Sequence, residues 1–166
     1  MLVLLEENAE AQSVTEKIER RGINCVVFDN IRDFIWNMEN LEDKNNHFKG
    51  EFPDGLLIGD ISINRTVIEL VKKWYPEVAE NLEKAEYIPE AIKEYFARKL
   101  QEIKKPVKRV GVYTAGGQNK INGQLFYKEG GESLYCIRKG MQFIDKCSDE
   151  LMYQVANFLQ DTDMTR

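Results

Sequence analysis

Two apolar runs in this chain end on acid. Gly55-Leu56-Leu57-Ile58-Gly59 runs into Asp60, and Leu2-Val3-Leu4-Leu5 runs into Glu6-Glu7. Short, unbroken apolar runs of this kind read as strands buried on both faces of a parallel sheet. Strands that deliver acid at their C-terminal ends put those carboxylates on one edge of the sheet, the edge at which open α/β sheets bind ligands and do chemistry. A second stretch of interest is rich in glycine, from Gly116 to Gly131. It contains neither GxGxxG nor GxxxxGK[ST], so it fits no dinucleotide or P-loop phosphate cradle. A Gly116-Gly117 turn after a strand still exposes backbone N–H groups to an anion.

Other site chemistries find little support. Cys25, Cys136 and Cys147 are odd in number, widely spaced and without CxxC spacing, which argues against a disulfide framework and a zinc site. Cys25 and Cys136 lie in apolar runs and read as small core residues. The one histidine, His47, stands in a polar stretch with no motif around it, so a Cys-His site has no second partner.

The 166 residues suffice for one domain with its own core, read here as residues 1–166 with a helical insertion at about 77–105. The formal net charge of −5 gives no reason to expect nucleic acid or an anionic membrane as partner, since both reward excess Lys and Arg. The local basic group Lys104, Lys105, Lys108 and Arg109 reads as a solvated helix end. No apolar run has the length of a membrane helix, and Met1 leads straight into a strand-like segment, so a cytoplasmic chain is expected.

The elements that must position the acids follow in order. After the strand Leu2–Leu5, Asn8 can cap a helix carrying Ala11, Val14 and Ile18 on one face. Ile23 to Phe28 reads as the second strand, and Asn30 caps a helix with Ile31, Phe34, Ile35, Met38 and Leu41 at helical spacing. A polar loop, Glu42 to Glu51, and the turn Pro53-Asp54-Gly55 lead into the third strand. Beyond Asp60, Val67, Leu70, Val71 and Trp74 form a third helical stripe that Tyr75-Pro76 ends or kinks. Residues 77–105 show no strand; Ile88, Ile92, Phe96, Leu100 and Ile103 mark another amphipathic helix, with Pro89 in its first turn. Val107 to Thr114 reads as the fourth strand. Gln124 to Tyr127 and Leu134 to Ile137 read as strands of a β-hairpin, and Ser148 caps a last helix with Leu151, Val155, Phe158 and Leu159, before a frayed tail from Asp161. Alternating strands and helices predict a three-layer α/β/α fold of flavodoxin-like type with a mostly parallel sheet.

At this point the chain resembles a response-regulator receiver domain, over roughly residues 1–76 and 107–160. Leu2 to Ala11 is similar to the family's first strand and acidic turn, and Pro53 to Asp60 to its third strand and phosphoacceptor aspartate. Val110-Gly111-Val112-Tyr113-Thr114-Ala115 is similar to the fourth strand with its switch hydroxyl. Leu134-Tyr135-Cys136-Ile137-Arg138-Lys139 is similar to the fifth strand with its essential lysine. The resemblance implies Asp60 as phosphoacceptor, Glu7 and Asp60 as Mg²⁺ ligands with Glu6 as a weak third, and Thr114 and Lys139 as the switch pair. The types fit the chemistry: acids hold a cation that neutralises phosphoryl oxygens, while a lysine and a hydroxyl bind the acyl phosphate.

In this alignment the family's paired acids fall on Glu7 and Asn8, so an amide replaces the second acid and a weak Mg²⁺ site follows. The family's Met-Pro after the phosphoacceptor is replaced by Ile61-Ser62. The expectation is an atypical receiver-like signalling module that docks a protein partner without efficient phosphorylation, a binding module more than an enzyme, with self-association left open. Each residue also has a plainer reading: Asp60 as a helix cap or turn acid, Glu6 and Glu7 as exposed turn acids near a helix N-terminus, Thr114 as a structural strand end, Lys139 as a solvated turn residue. Two further classes remain open. One is a small-ligand binder or enzyme at the carboxyl edge, with Gly116-Gly117 holding an anionic group. The other is a structural subunit whose insertion helix and hairpin form an oligomer interface.

Overall fold

All four residues of Leu2–Leu5 (β1) and all four of Gly55–Ile58 (β3) are buried, as apolar runs at the centre of a two-faced sheet must be. In the computed structural model, which describes residues 1–7, 11–106, 109–114 and 131–160, these strands pair in parallel, Leu5 opposite Ile58. Cys25–Phe28 (β2) lies outside β1, and Arg109–Thr114 (β4) and Gln142–Asp145 (β5) extend the sheet beyond β3. The order is β2-β1-β3-β4-β5, every pairing parallel. Asn8 as a cap, Val107 and Lys108, the Gly116-Gly117 turn, the strand at Gln124 to Tyr127 and the tail from Asp161 lie outside the described residues.

Helices cover both faces, giving the flavodoxin-like three-layer α/β/α fold. Ala11–Glu19 (α1) and Leu151–Gln160 (α7) place Val14, Ile18, Val155 and Phe158 against Leu2, Leu4, Leu57 and Ile144. The opposite face, with Val3, Leu5, Leu56 and Ile58, is covered by Ile31–Glu39 (α2), Arg65–Trp74 (α3), Pro76–Lys84 (α4), Ile88–Glu102 (α5) and Glu132–Arg138 (α6). Asn30 and Asn64 cap α2 and α3, their side-chain oxygens accepting the N–H of Asp33 and Val67. Among the described residues no helix is long and apolar enough to cross a membrane.

The segment between β3 and β4 holds two helices beyond α3 where the spacing predicts one. Pro76 sits in the first turn of α4, where its missing N–H costs nothing, so the proline that ends one helix starts the next. Leu70 and Trp74, expected in the apolar stripe of α3, face solvent, Trp74 at 68 % exposure. The inward side is Val71 with partly buried Val67 and Ile68. Within α5, Ile92, Tyr95, Phe96 and Leu100 are buried, so the insertion is part of the core.

The largest correction concerns Leu134–Ile137, which lies in helix α6 and forms no strand. Four consecutive apolar residues suit either period. Burial shows which period holds: Glu132, Tyr135 and Cys136 face inward, three and four residues apart, while Leu134 and Ile137 are exposed. The fifth strand comes later, at Gln142–Asp145, and the hairpin arm assigned to Leu134–Ile137 does not exist.

Helix α6 is docked on α5 by polar groups. The Tyr87 hydroxyl donates to Glu132 Oε1 at 2.8 Å and lies 3.3 Å from Cys136 Sγ, while Tyr135 donates to Glu90 Oε2 at 2.5 Å. Burial pushes the Cys136 thiol up to about 11, against the lowering effect of the Tyr87 hydroxyl; burial likewise pushes Cys25 up to about 11. At pH 8 only about one such thiol in a thousand is thiolate, the form that reacts. Native protein treated with iodoacetamide is therefore expected to gain one adduct, on exposed Cys147, with Cys25 and Cys136 labelled only after denaturation. Rapid labelling of Cys136 in the native state, read by peptide mass spectrometry, would show that α6 is not packed as described.

Candidate functional site

The order of strands reverses between β1 and β3, and the site lies at their carboxyl ends, the switch point of such a sheet. Backbone pairing continues past the strands and sets the register of the side chains. The Gly59 N–H donates to the Leu5 carbonyl at 2.7 Å, Glu7 N–H to the Asp60 carbonyl at 2.9 Å, and Lys146 N–H to the Thr114 carbonyl at 3.0 Å. Glu6, Asp60, Thr114 and Lys146 thus each follow or end a strand at one edge.

Lys146 is the centre of the cluster. Its ammonium donates to Glu6 Oε2 at 2.6 Å and to Asp60 Oδ2 at 2.7 Å. The Thr114 hydroxyl donates to the other oxygen of Asp60, Oδ1, at 3.3 Å. Glu6 Oε2 also accepts the Asp60 N–H at 3.1 Å. The Lys146 ammonium stands 5.0 Å from the centre of the Tyr113 ring, a cation–π contact. Glu6 is 1 % exposed, and a buried carboxylate persists only when paired and hydrogen-bonded. Lys146 and the Asp60 N–H supply both. Asp60 retains 29 % of its side-chain exposure, so of the two acids it is the one a reagent can reach.

Of the residues expected from sequence, Asp60, Thr114 and Glu6 come together; Glu7 and Lys139 do not join them. Glu7 turns to Ser62, whose N–H donates to Glu7 Oε1 at 2.5 Å and whose hydroxyl donates to Oε2 at 2.8 Å. Lys139 is the C-cap of α6, with Nζ 3.4 Å from Glu90 Oε1. The resemblance places Lys139 at the end of a fifth strand, but that segment is helix α6, and the lysine that directly follows the observed fifth strand is Lys146. Phe143-Ile144-Asp145-Lys146 carried that signal in the sequence, masked by the more apolar run at Leu134.

As they stand, the donors do not fit a divalent cation. One oxygen each of Glu6 and Asp60 is bonded to the same ammonium, and both oxygens of Glu7 are bonded to Ser62. Among the described residues no group of three or more His, Cys, Asp or Glu is gathered to hold a metal. The chemistry available is that of a carboxylate nucleophile with a cation on one oxygen and a hydroxyl on the other, groups that neutralise an incoming anionic electrophile. No protein-family profile matches the chain, and no curated protein matches it.

Proposed function

We propose that this chain is an atypical receiver-like signalling module that docks a protein partner in the cytoplasm and takes up phosphoryl on Asp60 only inefficiently. The observation that carries the reading is the placement of Lys146 and Thr114 on the two oxygens of Asp60 at the switch point of the sheet. In phosphoryl transfer an Asp60 oxygen bonds to phosphorus as the leaving group departs. Lys146 and Thr114 then turn from the carboxylate to the new phosphoryl oxygens, a shift of charge that can bias a two-state surface. Inefficiency follows from the same contacts. Lys146 is held by Glu6 as well as by Asp60, so its ammonium is not free to follow a phosphoryl group away from the carboxylates. Helices α6 and α7 pack beside β5 and expose Leu134, Ile137 and Tyr153, which supports a docking role for that side.

The test is intact-mass spectrometry after incubation with Mg²⁺ and a small phosphodonor, with Asp60→Asn alongside. A phosphoryl adduct on a minor fraction of wild-type chains, lost in Asp60→Asn, is expected. An adduct on most chains sinks the inefficient version. An adduct that persists in Asp60→Asn removes Asp60 as the acceptor. The groove beside Asp60 is lined, among the described residues, by Ile58, Ile61, Ile63 and Ile68 together with Glu83; the Gly116-Gly117 turn of the small-anion reading lies outside the described residues.

A further inference from the structure

The residue before Asp60 is Gly59, and the space its side chain would need is occupied. A Cβ built on Gly59 would overlap Glu6 Oε2, lie 3.1 Å from Glu6 Cδ and lie 2.8 Å from the Leu5 carbonyl oxygen. Gly59 is not among the glycines with positive φ, so backbone conformation is not what requires a glycine here; room is. What fills the room is the Glu6 carboxylate, lying across the end of β3, where it meets the Asp60 N–H and the Lys146 ammonium.

We propose that Gly59 is a positioning residue of this site: the missing side chain at 59 seats the Glu6 carboxylate, and through it fixes the Lys146 ammonium against Asp60. Glu6 and Gly59 are then a matched pair. With a side chain at 59 the Leu5 carbonyl has to give slightly, and the Glu6 carboxylate, the closest group and the end of a flexible side chain, has to swing away. The Asp60 N–H then loses this acceptor, and Lys146 loses one of its two carboxylates. The functional meaning of the pair rests on reading Asp60 as the reactive carboxylate, but the geometry can be tested without it.

The experiment is acylation of native protein by acetic anhydride, with Lys146 and Lys99 quantified by peptide mass spectrometry. Lys99, 18 % exposed and paired with Glu39 and Glu102, is the internal control for global loosening. Gly59→Ala is expected to raise labelling of Lys146 on the order of tenfold, the equivalent of one charge-assisted hydrogen bond lost, with Lys99 unchanged. In a Glu6→Ala background, where Lys146 has already lost that partner, Gly59→Ala is expected to add little. Unchanged Lys146 labelling in Gly59→Ala, or an equal rise in both backgrounds, overturns the proposal, because the Leu5 carbonyl alone would then account for the glycine. If Gly59→Ala does not fold, folding of Glu6→Ala/Gly59→Ala supports the matched pair and failure of both overturns it. Absence of any phosphoryl adduct on wild type counts against Asp60 as acceptor and leaves the labelling result standing.

Discussion

Lys146→Met is expected to destabilise the protein by about 3 kcal/mol, the low end of what removing one partner of a buried ion pair costs. Methionine keeps the length and the apolar stem of the side chain, so the change isolates the ammonium. What it leaves is Glu6, 1 % exposed, facing Asp60 without the ammonium that bridged them. The low end applies because Asp60 is partly exposed and water can screen its charge. The effect is read as a fall in the urea midpoint at unchanged m. A second variant separates charge from packing. Lys146→Met/Glu6→Gln removes one of the two facing charges along with the ammonium, and is expected to recover part of the loss. A loss below about 1 kcal/mol, the scale of a surface ion pair, would mean that the ammonium is not held as described. So would a double variant no more stable than Lys146→Met.

How much of this cluster was legible in the sequence depended on where each strand lies in the sheet. β1 and β3 are central, buried along their whole length, and appear as unbroken apolar runs ending on acid. β5 is an edge strand in which only Ile144 is buried, so Gln142 and Asp145 interrupt the run and a nearby helix mimicked it. The local pattern therefore points to Lys139 as the strand-ending lysine, whereas Lys146 follows β5. Which of Glu6 and Glu7 lies against Asp60 is hidden for a different reason. Successive side chains leave a strand in opposite directions, and which acid turns toward Asp60 is set by the register of Leu5 opposite Ile58, a long-range pairing that no local pattern encodes. The acids, the hydroxyl and the edge they share could be read locally; their partners could not.

The insertion raises the same question at the scale of helices, and Phe96→Ala is expected to answer it with a loss of about 4 kcal/mol, the usual cost of emptying a buried aromatic site. Phe96 is fully buried in α5 and stacks on Phe52, in the segment leading into β3, with ring centres 5.9 Å apart. Its neighbours on α5, Ile92 and Leu100, belong to the same core cluster as Val3, Leu56 and Ile58 of the sheet. An α5 built into the core in this way has to unfold with the sheet. Urea unfolding of Phe96→Ala followed by far-ultraviolet circular dichroism, which reports all helices, is therefore expected to coincide with unfolding followed by the fluorescence of Trp36 in α2. Trp74, already exposed, changes little on unfolding. Helical signal lost at lower urea than the Trp36 transition would make the insertion an appendage that melts alone. In that case α6, held to α5 through Tyr87 and Tyr135, would lose its support while the strands that carry Asp60 and Lys146 stayed folded. Coincident transitions would instead bind the acid edge, the insertion and the exposed face of α6 into one cooperative unit, which a surface responding to chemistry at Asp60 requires.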